Sequence, residues 1–194
     1  CEPAREVGGD YYDFLPIDEH TLGILVADVS GKGTSAALYM AELKGLLLSL
    51  SRIYDSPKAL LSQVNRVLAD NLDSRSFITM TYGVIDLERR EMTFARAGHC
   101  PLIHVPGGVP AGLGKAELLA PDGLVVGLQI DNGELFDSIL QERTLPLAHD
   151  DLVVLFTDGI SETMNEAFDC FGEARLAKVI EQYAHLPFDQ LRSY

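Results

Sequence analysis

Two short, largely apolar runs, residues 22–27 (LGILVA) and 152–157 (LVVLFT), each stop at an aspartate. Asp28 precedes Val29-Ser30-Gly31-Lys32-Gly33, and Asp158 precedes Gly159. An apolar run of this length suits a strand buried on both faces, and glycines just past its end mark a tight loop. An aspartate at such an end is poorly solvated. Two brought together would repel by about 4 kcal/mol at ~4 Å with an effective dielectric near 20. A chain built this way must keep its strand-end carboxylates apart or neutralise them. A third aspartate, Asp10 of VGGDYYDF, also follows glycines and opens an aromatic-rich segment.

After Gly33 the periodicity changes. Ala36, Ala37, Met40, Leu43, Leu47 and Leu50 recur at helical spacing, and Leu38, Leu46 and Leu48 widen the stripe. A deeply buried helix is expected over 34–53. Ser56-Pro57 supplies an N-cap and a first-turn proline for a second helix, with Leu60, Leu61, Val64, Val67, Leu68 and Leu72 on one face. The short connection makes the two helices an antiparallel pair. Residues 77–86 (FITMTYGVID) and 91–97 (EMTFARA) read as a hairpin. Residues 101–105, 134–144 and 152–157 are expected as further strands, and 172–185 as a helix. Clustered strands with hairpins point to a mostly antiparallel α+β layered fold rather than a βαβ fold.

The 194 residues suit one domain, and 47% hydrophobic with 23% charged residues can bury a sizeable core. No apolar run reaches the roughly 18 residues that a membrane span needs. The chain opens Cys-Glu-Pro-Ala-Arg, without Met or a signal pattern, so an excised part of a longer chain is expected. A net charge of −14 and no basic run longer than Arg89-Arg90 disfavour nucleic acid. They suit divalent cations and protein partners better. Cys1, Cys100 and Cys170 form no C-x-x-C pair, which disfavours a disulfide framework or zinc site and suggests a reducing, cytoplasmic setting.

Asp10, Asp28 and Asp158 admit two readings. An aspartate after a strand is most often a turn former or a helix N-cap. If the three converge, oxygen-only ligands favour Mg²⁺ or Mn²⁺, but spacing along the chain does not establish convergence. Gly8-Gly9-Asp10 also shares three letters with the GGDEF signature of diguanylate cyclases. Only seven residues precede Gly8, too few for that family's upstream nucleotide site, and Tyr11 stands where the cyclases have an acidic residue. Lys32 is not a P-loop lysine, because Val26 occupies the position of the first glycine.

Four segments, AREVGGDYYDF, VADVSGKGTSAAL, FITMTYGVIDLERREMTFARAGHCPLIHV and LVVLFTDGISE, cover nearly the whole chain. In sequence and in order they resemble the SpoIIE- or RsbU-type branch of the metal-dependent type 2C (PPM) serine/threonine protein phosphatases. The resemblance implies an α-β-β-α sandwich with two central, mainly antiparallel sheets and two Mn²⁺ or Mg²⁺ ions at one edge. A metal-activated water, not a side chain, would then attack the phosphorus of phosphoserine or phosphothreonine. Asp10 would be the first acidic ligand and Asp28 the bridging aspartate. The Val29 carbonyl would complete one shell, and Asp158 would hold the second metal. Gly9, Gly31, Gly33 and Gly159 would shape the loops.

Other residues carry two readings. Arg5 matches an arginine that holds the substrate phosphate in eukaryotic relatives; a solvated surface arginine is the favoured alternative. His99, in the family's AGHxP turn, is either a proton donor to the leaving group or, as favoured, a turn holder. Asp13 is read as a structural hydrogen-bond acceptor and Cys100 as a small buried hydrophobe. The family pattern ends in a further strand with an Asp-Asp pair, and this chain stops before it. A single phosphatase domain over 1–194, truncated before its last metal ligand, is therefore expected. By resemblance its substrate would be a phosphorylated STAS-type anti-sigma-factor antagonist. An upstream sensor or dimerisation domain and a homodimer are further expectations. The alternative function is a non-catalytic phosphatase-like binding or dimerisation module.

Overall fold

The computed structural model describes residues 9–31, 33–107, 114–187 and 190. In chain order the elements are β1 (Asp10–Pro16), β2 (Thr21–Val29), α1 (Thr34–Leu50), α2 (Pro57–Asn71), β3 (Ile78–Asp86), β4 (Glu91–Ala97), β5 (Leu102–Val105), β6 (Glu117–Leu119), α3 (Glu134–Ile139), β7 (Glu142–Pro146), β8 (Leu152–Val154), α4 (Asp158–Ser161) and α5 (Glu173–Tyr183). They divide into two compact units: Cys1–His99 with Pro121–Pro146, and Cys100–Ala120 with Leu147–Tyr194.

The first unit holds a five-stranded sheet in the order β1-β2-β3-β4-β7, antiparallel throughout. The period of two along each strand sorts its faces. Tyr11, Leu15, Leu25, Ala27, Val29, Ile78, Met80 and Tyr82 join one core with Leu43 and Leu47 of α1 and with Leu60, Leu61, Val64 and Leu68 of α2. The alternate residues, Asp10, Asp28 and Thr79 among them, lie on the opposite face. α2 starts where the sequence expects it. Ser56 Oγ accepts from Ala59 N at 3.1 Å, with Pro57 in the first turn. Glu142 of β7 then accepts from Ser56 Oγ and Lys58 N, at 2.6 and 2.9 Å, tying the helix start to the sheet. Asn71 Nδ2 donates to Glu42 and Asp73 N to Tyr39 Oη. The end of α2 thus lies beside the first half of α1, which makes the pair antiparallel.

Two expectations need correction in this unit. α1 stops at Leu50 and is not deeply buried, for only Ala36, Leu43 and Leu47 are enclosed. Leu38 is 66% and Leu48 50% exposed. A helix lying on a sheet buries only the arc that faces it, however many leucines it carries. Residues 134–144 are not one strand but α3 followed by β7. The Asp131 carboxylate accepts from Gly133 N (2.9 Å) and Leu135 N (3.0 Å), and Gly133 adopts a left-handed φ of 89°. That turn starts a helix too short to show a period in sequence.

The second unit holds a three-stranded antiparallel sheet, β6-β5-β8. Its core is Ile103, Val105, Leu152 and Phe156 with Ala177 and Ile180 of α5. The expected strand over 152–157 is only three residues long, because β8 leaves the ladder after Val154. β6 has no counterpart in the sequence reading. His104 Nε2 and Asp151 Oδ2 meet at 3.0 Å with side chains 9% and 6% exposed. Asp151 also accepts from Gly107 N at 2.6 Å and Ala148 N at 3.0 Å. The expected α+β class with antiparallel sheets holds. No helix among the described residues is long and apolar enough to cross a membrane.

Candidate metal site at the end of the five-stranded sheet

Asp10 is the first residue of β1, and Asp28 is the last but one of β2. The ladder makes them direct partners. Directly opposite residues share a face, with β-carbons about 4.5–5.5 Å apart, and like charges so placed destabilise a sheet. Neither strand alone reveals this, because the pairing depends on the register between them.

Gly9 sets the third oxygen. A β-carbon there would lie 2.5 Å from the Val29 carbonyl oxygen and 3.2 Å from Asp28 Oδ1. Val29 N donates to the Gly9 carbonyl at 3.3 Å. Only glycine lets this backbone pass so close to the carboxylate and carbonyl it must border. Gly9→Ala is expected to cost about 1–3 kcal/mol, the usual range for overpacking, and to lower the midpoint of thermal unfolding. An unchanged midpoint would show that the segment gives way freely.

The loop after Asp28 is held from both sides. Gly31 and Gly33 have φ of 96° and 89°, where a side chain is strained. Ser30 N donates to the Phe77 carbonyl at 2.9 Å, and Phe77 N donates back to Ser30 Oγ at 2.8 Å. Ser30 thus pins the loop to the start of β3, a role that spacing could not show.

Asp13 points away from Asp10, as its place three residues along a strand requires. It accepts from Tyr11 Oη at 2.5 Å and from Phe14 N at 2.9 Å, and pairs with Lys44 Nζ at 3.4 Å. The Tyr11 hydroxyl above all holds its carboxyl below the usual range, while burial and the Asp13 charge push the tyrosine up. Asp13 orders the strand. Tyr12 and Phe14 share the Asp10 face and are exposed.

Thr79 of β3 is the direct partner of Asp28, so Asp10, Asp28 and Thr79 form a row across three strands. His99 is buried, and its Nδ1 lies 2.8 Å from Thr79 Oγ1. Its carbonyl accepts from Arg96 Nη1 at 2.7 Å, and Arg96 Nε donates to the Pro121 carbonyl at 3.1 Å. These bonds fit the turn-holding reading of His99. Thr79 was missed because its signal is again the register, not the spacing.

In the second unit, Asp158 is the exposed first residue of α4. Gly159 is neither in the left-handed region nor crowded, since a β-carbon would meet only Thr157 Oγ1, at 3.8 Å. Neither reason for a loop-shaping glycine applies there. Burial pushes the Cys100 thiol up to about 11, with the Asp158 and Glu173 carboxylates adding to the rise. Cys100 is therefore half-buried and protonated, not a nucleophile. Arg5 and Lys32 lie outside the described residues.

Two carboxylates and a backbone carbonyl are hard oxygen donors, the set that suits Mg²⁺ or Mn²⁺. The cross-strand repulsion is what a cation would relieve. Among the described residues no group of three or more His, Cys, Asp and Glu is placed to hold an ion. The first unit therefore offers a partial donor set, whose residues fit a hard divalent cation in kind.

The family model of Stage II sporulation protein E (SpoIIE) matches residues 18–193. The chain belongs to the SpoIIE family. Its motifs place it in the SpoIIE- and RsbU-type branch of the serine/threonine phosphatases. It is 34% identical over 165 residues to the phosphoserine phosphatase RsbU of Bacillus subtilis, covering 84% of this chain and 46% of that one. The crystal structure of the RsbU and RsbW domains of Rv1364c from Mycobacterium tuberculosis superposes with a TM-score of 0.78 at 26% identity. It covers 99% of this chain and 50% of that one. The fold also matches RsbX, solved in complex with magnesium, with a TM-score of 0.63 at 15% identity over 94% of this chain and 83% of that one. The chain thus spans about half the length of the first two relatives.

Proposed function

We propose that this SpoIIE-family domain hydrolyses phosphoserine or phosphothreonine in a protein, with Asp10, Asp28 and the Val29 carbonyl holding a divalent cation. The observation that carries the reading is the Asp10–Asp28 cross-strand pair, bordered by a glycine that admits the Val29 carbonyl. Asp158 is proposed as a ligand of a second ion on the family resemblance alone. Bound Mg²⁺ or Mn²⁺ supplies positive charge and activates a water for attack on phosphorus. The chain's own part is to hold two carboxylates rigidly on neighbouring strands, so that the site is formed before substrate arrives. No side chain is needed as nucleophile, which agrees with a protonated Cys100.

The substrate we propose is a phosphorylated STAS-type antagonist of an anti-sigma factor, met in the cytoplasm. RsbU of Bacillus subtilis is named a phosphoserine phosphatase, and the Mycobacterium tuberculosis relative combines RsbU and RsbW domains. A preceding sensor or dimerisation domain, and a homodimer, belong to the same proposal. Magnesium in RsbX supports the choice of ion class, and Mn²⁺ is the spectroscopically useful member of it.

The test is release of phosphate from a phosphoserine-bearing STAS protein with Mn²⁺ present and with chelator. Mn²⁺-dependent release is the expected result. Release unaffected by chelator, or none under any metal, would overturn the proposal and favour a non-catalytic module.

A further inference from the structure

We infer that Thr79 and His99 are positioning residues that aim the Asp28 carboxylate at its cation. The inference rests on the reading of Asp28 as a metal ligand. Thr79 is the direct ladder partner of Asp28, so their side chains stand on the same face. On its far side, Thr79 Oγ1 lies 2.8 Å from His99 Nδ1.

A threonine hydroxyl has one proton to donate and lone pairs to accept with, whereas a carboxylate only accepts. If His99 Nδ1 carries the ring proton, it donates to Thr79, and the Thr79 proton is left for Asp28. If Nδ1 is bare, Thr79 spends its proton on the imidazole and offers Asp28 only lone pairs. In the first arrangement a chain of donors runs from His99 to Thr79 to Asp28, its first step the 2.8 Å contact and its second step inferred from the ladder register. Its far end is fixed. His99 is 6% exposed, and its carbonyl is gripped by Arg96, itself bonded to the Pro121 carbonyl. The near end is stiff too, because a β-branched side chain has few rotamers on a strand. Carboxylates that hold metals are commonly hydrogen-bonded, and losing that partner typically weakens binding about 10- to 100-fold.

Two measurements test this. The first is the ¹⁵N chemical shift of the His99 ring in metal-free protein, which distinguishes the two neutral tautomers. A proton on Nδ1 is expected, and a proton on Nε2 would overturn the relay, whatever the metal does. The second is Mn²⁺ affinity, read from the electron paramagnetic resonance of free Mn²⁺. Thr79→Val keeps the shape and removes the hydroxyl, and it should weaken binding about tenfold. Thr79→Ser should stay within about twofold of the parent. A Thr79→Val protein that binds as the parent does would overturn the inference while leaving Asp28 a ligand. A parent protein that binds no Mn²⁺ would instead overturn the metal reading itself.

Discussion

Asp28→Asn is expected to stabilise the metal-free protein while abolishing its turnover. Asp10 and Asp28 sit opposite each other on neighbouring strands. Like charges so placed destabilise a sheet by a few tenths to about 1 kcal/mol. Removing one relieves that repulsion and should raise the unfolding midpoint in chelator, by at most about 2–4 °C for a chain of this size. If Asp28 holds the cation as proposed, its loss should lower Mn²⁺-dependent hydrolysis by more than about a hundredfold. The opposite signs make the pair informative. A residue kept for the fold loses stability on substitution, whereas one kept for charge chemistry gains it. Thermal unfolding in chelator, beside a phosphate-release assay, reads both. A metal-free Asp28→Asn protein that melts earlier would identify Asp28 as a structural acceptor instead. Asp10→Asn should act in the same direction.

The largest stability effect is expected at Asp151, far along the sequence from the carboxylate pair. Its carboxylate collects His104 Nε2 and the amides of Gly107 and Ala148. Asp151→Ala would strand the buried His104 nitrogen and the half-buried Gly107 amide, at about 1–3 kcal/mol each, while the exposed Ala148 amide can turn to water. Burial pushes this carboxyl up, but the two amides and His104 outweigh it and hold it below its usual value. A depressed folded pKa means that the carboxylate's contribution is complete above the unfolded value, near 3.9. It is lost as pH falls through the folded value. Stability from this source should therefore be flat above about pH 5 and fall in stronger acid. Asp151→Asn should weaken that acid dependence. Denaturant melts from pH 3 to 7 measure it, and an equal acid slope in Asp151→Asn would remove Asp151 from the explanation.

How much of this was legible beforehand differs by residue. Ser56-Pro57 marked the start of α2 because a cap is local, and the structure has the bond that the residue types imply. Asp13 was assigned to the face away from Asp10 because a strand's period of two is also local. Leu38 and Leu48 misled because composition along a helix says how apolar it is, not how wide an arc its neighbours cover. Residues 134–144 misled because an Asp131 side chain and a left-handed Gly133 started a helix of less than two turns. At the site, the family motifs singled out Asp10 and Asp28. The fact that gives them chemistry, that they face each other, belongs to the register between β1 and β2. Thr79 was overlooked for the same reason, as a polar residue in an ordinary-looking strand until Asp28 stands beside it.

The most direct measurement is an anomalous-scattering map from a crystal of the protein soaked in Mn²⁺. The expected result is an ion between Asp10 and Asp28, roughly 2 Å from an oxygen of each carboxylate and from the Val29 carbonyl. A protein that releases phosphate in Mn²⁺ while both carboxylates stay clear of any ion would contradict the proposed site.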